Sequence, residues 1–420
     1  MPPRDPRERT TAHRPLVEGR GIKRGLSHVG GAVESWGDPA VAKVIAQAFA
    51  VRAGERDATL THPFHAYPAR LHPEVARQLV RAVVTEVPGA TILDPCCGSG
   101  TVLVESMVAG ARAIGTDLSP LAVELAAMKT RRTLPAERSA MVETAHQLSR
   151  EAAVAMRARG PLRHPRGEEQ WFHPHTLREV SALALAIEAL PQGFVRAATR
   201  MLLSSVLVKV SLQLSDSDPR RAADKPVRPG QALHFFARKS IELDGCLAAL
   251  ARATPRNAPP VDVRVDDATM LETVADASVD AVISSPPYAN TYDYVEHHTR
   301  RYRWLRMDAG ALGEREIGAA RWFDDPEAGS QRFDREMRAM VLSLARVMRP
   351  GARAYLVVAD GAAADHPLYA DDTLALALRG TPLLLAARVS QSRPVFDPVS
   401  ARAFRARPKR EHLVALERMG

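Results

Sequence analysis

Cysteine is scarce in this chain. Its 420 residues include three, Cys96, Cys97 and Cys246. None forms a C-x-x-C pair, which excludes a zinc ribbon and a disulfide framework. That usage suits a reducing compartment, and the cytoplasm is the expected location. The opening residues, MPPRDPRERT, carry no apolar run of the kind a secretory signal needs, so an unexported protein is expected. The longest apolar stretch, Met201 to Leu214, is broken by Lys209 and several serines, too short and too polar to span a bilayer. No internal repeat is present, which excludes a solenoid. His297 and His298 are adjacent and would face different ways on a helix, so no metal site is expected.

Positive charge is plentiful. The formal net charge is +9, a balance that suits a polyanionic partner. It is unevenly placed: Arg131 to Pro260 holds 20 Lys and Arg against 12 Asp and Glu, a net +8. Residues 1–35 are basic and interrupted by glycine and proline, and a flexible tail is expected there. The length allows more than one domain.

The patterning is α/β. A helix is predicted over Pro39 to Arg52, with Asp38 as its cap. Thr61 to Arg70 (THPFHAYPAR) is a rigid aromatic loop that leads to a helix from Pro73 to Val84. Thr91 to Asp94 reads as the first sheet strand, Pro95 to Thr101 as a glycine turn, and Val102 to Ala109 as the helix it opens. Glycines there permit a tight turn and close approach of a ligand to the backbone. A second strand, Arg112 to Thr116, ends in Asp117. An acid at that place, roughly 20 residues past the glycines, suits two ribose hydroxyls, or else caps the helix from Pro120.

The third strand, Val261 to Val265, is delayed by about 130 residues. The chain therefore divides into a cofactor half (36–130), a mainly helical insertion (131–260) and a catalytic half (261–420). Helices are predicted in the insertion over Ala136 to Arg159, Pro174 to Leu190, Phe194 to Lys209 and Gln231 to Ala253. Further strands are expected at Val279 to Ile283, Ala352 to Ala359, Pro382 to Val389 and His412 to Leu416, with a helix over Phe333 to Met348. After Tyr294, Arg300, Arg301, Arg303 and Arg306 are expected to form a basic face with Trp304. Within Ser211 to Lys239, Arg220, Arg221, Lys225, Arg228, Phe235 and Phe236 have the basic-aromatic mix of a nucleic-acid surface. A solvated loop with two docked phenylalanines is the competing reading.

Ser284-Ser285-Pro286-Pro287-Tyr288 follows the Val279 strand. Two prolines cannot continue a central strand. The chain must leave the sheet at its C-terminal edge, where open α/β sheets bind ligands. This stretch resembles the S/N/D-P-P-Y motif of S-adenosylmethionine (AdoMet)-dependent DNA amino-methyltransferases. Asp94-Pro95-Cys96-Cys97-Gly98-Ser99-Gly100-Thr101 is similar to their D-P-F-x-G-S-G-T, and His65 to Arg70 to their H-x-Y-P-A-K/R segment.

The resemblance implies a class I AdoMet-dependent methyltransferase fold: Rossmann-like, mostly parallel, with an antiparallel last strand. It implies that Tyr67 and Pro68 line the methionine end of AdoMet, and that Asp94, Pro95, Cys97, Gly98, Gly100 and Thr101 form its loop. Asp117 and Leu118 are placed at the ribose. Asp267 is placed at the adenine amino group, with helix capping as its competing role. Ser285 and a carbonyl of Pro286 or Pro287 would hold the target amine, and Tyr288 would stack on the base. Cys96 and Cys97 read as packing groups, so no covalent C5-cytosine chemistry is expected. DNA is the expected partner, its target base flipped from the duplex, and serine in the first motif position favours N4-cytosine over N6-adenine. An RNA base is the alternative. A protein glutamine methyltransferase would normally carry Asn in place of Ser285.

Overall fold

Parallel strands covered on both faces must be apolar almost throughout, and the short runs around Ile92 and Val282 meet that demand. The computed structural model describes residues 32–50, 59–157, 162–395 and 398–420. The cofactor half contains β1 (Glu34–Gly37), α1 (Pro39–Phe49), α2 (Pro73–Glu86), β2 (Thr91–Asp94), α3 (Thr101–Val108), β3 (Arg112–Asp117) and α4 (Pro120–Lys129). The insertion contains α5 (Pro135–Ala155), α6 (Pro174–Glu188), α7 (Phe194–Val210), β4 (Gln213–Ser215), β5 (Asp218–Arg221) and α8 (Gln231–Ala253). The remainder begins with β6 (Asp262–Val265), β7 (Val279–Ser284), α9 (Tyr294–Leu305), α10 (Gly310–Arg315), α11 (Pro326–Val347) and β8 (Met348–Ala359). It ends with β9 (Gly361–Ala363), β10 (His366–Leu368), α12 (Ala370–Leu378), β11 (Leu383–Ser392), α13 (Pro398–Ala403) and β12 (Arg410–Arg418).

Eight strands form the central sheet in the order β6-β3-β2-β7-β8-β12-β11-β1. The five from β6 to β8 are parallel. β12 is antiparallel between β8 and β11. This is the Rossmann-like sheet of the class I AdoMet-dependent methyltransferase fold, with one strand more than expected. That strand, β1, pairs Glu34 with Ser390 and Ser35 with Val389. Glu34 and Ser35 fall in the stretch expected to be a tail, and the structure corrects that expectation. All four residues of β1 are exposed, so no apolar alternation marked them. Residues 1–31 of the expected tail lie outside the described residues, as do the last residues of the helices predicted to reach Arg52 and Arg159.

Alternate residues of each strand serve opposite faces. Ile92, Ile283, Tyr355 and Leu413 meet Ile45 and Leu79 of α1 and α2. Leu93, Val282, Leu356 and Val414 meet Met340 and Leu344 of α11. The insertion packs its four helices into a third core. Phe64, Leu121 and Leu125 from the cofactor half join that core, as do Tyr302 and Trp304 of α9.

The expected basic face of α9 is instead an interior tie. Arg300 and Arg301 are buried. Arg301 Nε donates to Ser204 O at 3.1 Å, and the guanidinium pairs with Asp216 in the β4–β5 hairpin. Arg300 lies 3.5 Å over the Trp171 ring. Arg303 and the Trp304 indole both donate to buried Glu168, at 3.2 and 3.0 Å. A charge taken out of water needs such partners, which a charge count along the sequence does not reveal. Among the described residues no helix is long and apolar enough to cross a membrane.

Candidate active site

Strand order reverses at β2, with β3 and β6 on one side and β7 and β8 on the other. Loops leaving β2 and β7 at their C-terminal ends therefore diverge around a crevice. The loop after β2 turns on glycines with positive φ. Gly98 has φ +49°, and a Cβ there would stand 3.3 Å from Tyr67 Cε1. Gly100 has φ +82°, and its Cβ would press within 3.0 Å of Ala126 Cβ on α4. Only glycine suits both positions.

Asp94 closes β2 and joins the two loops. Its Oδ1 accepts from Cys96 N at 3.3 Å and from Ser284 Oγ at 2.7 Å, the serine being the last residue of β7. Burial pushes the Asp94 carboxyl up to about 7, against the lowering effect of those two bonds. Asp117 closes β3. Gly98 N donates to its Oδ2 and Ser119 N to its Oδ1, both at 2.8 Å. The cap of α4 is Ser119, whose Oγ accepts from Ala122 N, so Asp117 is not spent on capping. Each of its oxygens keeps an acceptor site. Burial raises this carboxyl to about 6.

Asp267 is held at the end of the third parallel strand. Its Oδ1 caps a turn through Thr269 N and Oγ1 at 2.9 and 2.7 Å, and its side chain also faces the crevice, with Oδ2 3.5 Å from Arg315 Nη1. Tyr67 stacks on Tyr294, centroids 5.9 Å apart, and tilts against His298 at 5.0 Å. Its loop is clamped from below: His62 Nε2 bonds Glu105 at 2.8 Å, Arg77 Nε meets the same carboxylate at 3.1 Å, and Phe64 is fully buried.

These groups line one cleft at the C-terminal edge of the sheet. Of the residues expected at the cofactor, Tyr67, Asp94, Pro95, Cys97, Gly98, Thr101, Asp117, Leu118 and Asp267 line it. Pro68 and Gly100 stand behind the lining. Ser285 and Pro287 reach the same cleft, and the Ser285 hydroxyl makes no protein hydrogen bond among the described residues. Pro286 is buried. Tyr288 lies beside the cleft, its hydroxyl donating to Glu411 Oε1 at 3.1 Å. Arg393 Nε donates to the other Glu411 oxygen at 3.0 Å, and both side chains are buried. The Tyr288 phenol is held well above its usual range, chiefly by burial and then by the Glu411 charge. Burial likewise raises the Cys96 and Cys97 thiols, which suits packing rather than nucleophilic roles.

Sequence reasoning missed one wall of the cleft, formed by Leu312, Arg315, Glu316 and Ile317. Glu316 accepts from Tyr294 N at 2.8 Å, pairs with Arg321, and is raised to about 7 by burial. Nothing in that linker has a motif's spacing.

The expected nucleic-acid residues do not form one surface. Phe236 is fully buried in the insertion core and cannot stack on a base. Lys225 Nζ donates to Val208 O and Gln213 O at 2.8 and 2.6 Å, tying the end of α7 to the following strand. These two placements correct the expectation: the apolar period of α8 claims Phe236, and bare carbonyls at a helix end claim the lysine. Arg220 pairs with Asp218 next door, and Arg221 donates to Gln170 O. Arg228 is exposed and Phe235 half-buried.

A cradle that fits AdoMet should offer backbone donors, a ribose acceptor and unpaired polar groups. The loop supplies the first and Asp117 the second. Ser99 Oγ, buried in the lining without a hydrogen-bond partner, supplies the third.

Residues 63–159 match the family described as "UPF0020: RMKL-like, methyltransferase domain". A Type II methyltransferase, M.MvaI of Kocuria varians, is 33% identical over 96 residues, which is 23% of this chain and 21% of that protein. The chain thus spans about a fifth of the length of that curated relative. Among solved structures, TrmN from Thermus thermophilus overlaps 83% of this chain and 49% of its own at 14% identity and a TM-score of 0.31. The rRNA methyltransferase aviRa from Streptomyces viridochromogenes overlaps 84% and 86% at 16% identity and a TM-score of 0.29. The fold is of class I architecture, residues 63–159 match a methyltransferase domain, and S-adenosylmethionine is the cofactor.

Proposed function

We propose that this protein transfers a methyl group from AdoMet to the exocyclic amino group of a nucleic-acid base, with DNA and N4-cytosine favoured. The observation that carries the proposal is the shared cleft: Ser285 and Pro287 line the same space as Gly98 and Asp117.

The glycine loop, Asp117 and Tyr67 would hold the cofactor, which when bound supplies an electrophilic methyl. An aromatic amine is a poor nucleophile because its lone pair is delocalised into the ring. Ser285 Oγ and the carbonyl of Pro286 accept the two amine N–H bonds, which favours a pyramidal nitrogen and frees the lone pair. Tyr288 stacks on the base and fixes its plane. The two loops, joined through Asp94 and Ser284, keep acceptor and donor sites in register, and such orientation supplies most of the rate. The match to a Type II methyltransferase supports the reading.

The test is transfer of tritiated methyl from AdoMet to unmethylated genomic DNA, total RNA and a protein extract, followed by nucleoside analysis. N4-methylcytosine in DNA is the expected product. Label confined to protein glutamine would overturn the proposal, and label in RNA alone would move it to an RNA base.

A further inference from the structure

About half of the insertion's cations are already engaged among the described residues. Arg138 pairs with Asp244 and Arg200 with Glu124. Arg178 and Arg196 donate to carbonyls, as does Lys225. Among the exposed cations that are not engaged in this way, two share one aromatic ring. Lys209, near the end of α7, holds its Nζ 3.8 Å from the centroid of the Phe235 ring. Arg238, on α8, holds its guanidinium carbon 5.7 Å from the same centroid. Neither makes an ion pair among the described residues. The nearby acid, Glu242, is committed to Lys239 at 2.7 Å. The Lys209 ammonium is held below its ordinary value by partial burial, then by Arg238 and Lys239, with Glu242 opposing.

The aromatic ring gathers two cations that would otherwise repel, which fixes their positions ahead of any ligand. The patch is also tied to the cleft. Lys239, the residue after Arg238, donates to Phe64 O at 3.0 Å. Ser204, five residues before Lys209 on α7, bonds His65 Nε2 at 2.9 Å. Phe64 and His65 belong to the loop that carries Tyr67 into the cleft wall. Five helical residues advance roughly 7.5 Å. The patch and the cleft wall therefore share the loop that carries Phe64, His65 and Tyr67.

We infer that Lys209 and Arg238, mounted on Phe235, form a phosphate clamp for the backbone of the nucleic-acid strand whose base enters the cleft. This rests on the proposed function for its substrate class. It replaces Arg220 and Arg221 as the principal backbone contact, since those two are satisfied within the protein.

The experiment measures fluorescence anisotropy of a labelled 20-base-pair DNA duplex and its single strand, from 50 to 300 mM NaCl. The proteins compared are wild type, Lys209→Ala/Arg238→Ala and Arg220→Ala/Arg221→Ala, all in the full chain. Loss of two phosphate contacts should lower the slope of log K against log salt by about 1.8 on duplex and about 1.4 on single strand. Affinity near 100 mM salt should fall at least about tenfold, with AdoMet affinity and the melting midpoint unchanged. The Arg220/Arg221 variant should keep a slope near wild type. Both clamp residues are exposed, so folding is not at stake. An unchanged slope in the Lys209/Arg238 variant overturns the clamp. So does selective loss of binding to labelled polyglutamate, which would assign the patch to an acidic protein. A reduced slope from a protein that methylates no nucleic acid would keep the clamp and sink the proposed reaction.

Discussion

The Tyr288 hydroxyl and the Glu411 carboxylate are joined at 3.1 Å, so the last sheet strand holds the tyrosine that ends the Ser285–Tyr288 stretch. Arg393 grips the far side of that carboxylate. The pair fixes the position of the ring. Tyr288→Phe and Glu411→Gln should each slow methyl transfer severalfold while AdoMet affinity stays intact. The double variant should be no slower than the worse single one, because the two changes break one bond. Multiplying effects would show that the bond does not place the ring.

Asp94 makes apo-protein stability depend on pH. Its carboxyl ionises near 3.8 when exposed and near 7 in the fold. The folded state therefore holds the proton more tightly, and stability present below pH 4 is lost as pH rises toward 7, then levels off. The ceiling is about 4 kcal/mol. Melting midpoints should fall between pH 5 and pH 8 in wild type and fall less in Asp94→Asn, Asp117 and Glu316 contributing to the remainder. Parallel pH profiles in the two proteins would remove Asp94 from this role.

Asp117→Ala should weaken AdoMet binding in calorimetry. Each charge-assisted bond lost to the ribose is worth about 1.5–3 kcal/mol, and Gly98 and Ser119 also lose their acceptor. Unchanged affinity would place the ribose elsewhere.

Ser285→Ala should leave AdoMet affinity near wild type and slow single-turnover transfer. A wild-type single-turnover rate would reduce the serine to a turn residue.

The parallel strands and glycine loop were legible because each is a local statement: an apolar run, then residues that must turn. Ser285 and Asp117 were legible for the same reason. The arginines of α9 were not. A run of cations looks the same in a sequence whether it meets water or, as Arg301 does, Asp216 from a hairpin 85 residues earlier. Glu411 was invisible because nothing near residue 411 refers to residue 288. Phe235 and Phe236 stand next to each other yet differ entirely, and only the phase of α8 against its neighbours separates them.

The edge strand β1 bears on how the chain comes to be folded during synthesis. Glu34 pairs with Ser390, and Ile92 of β2 waits for Ala281. At roughly 5–20 residues per second, a ribosome needs on the order of 20–70 s to supply β1's partner after β1 itself emerges. Throughout that interval all of β1 is an open ladder edge, and for about half as long one side of β2 is open too, the kind of surface that invites pairing between nascent chains. Contacts so distant along the chain also slow folding once it is complete. Yield from rapid, crowded expression should therefore depend on chaperones more than on the stability of the finished protein.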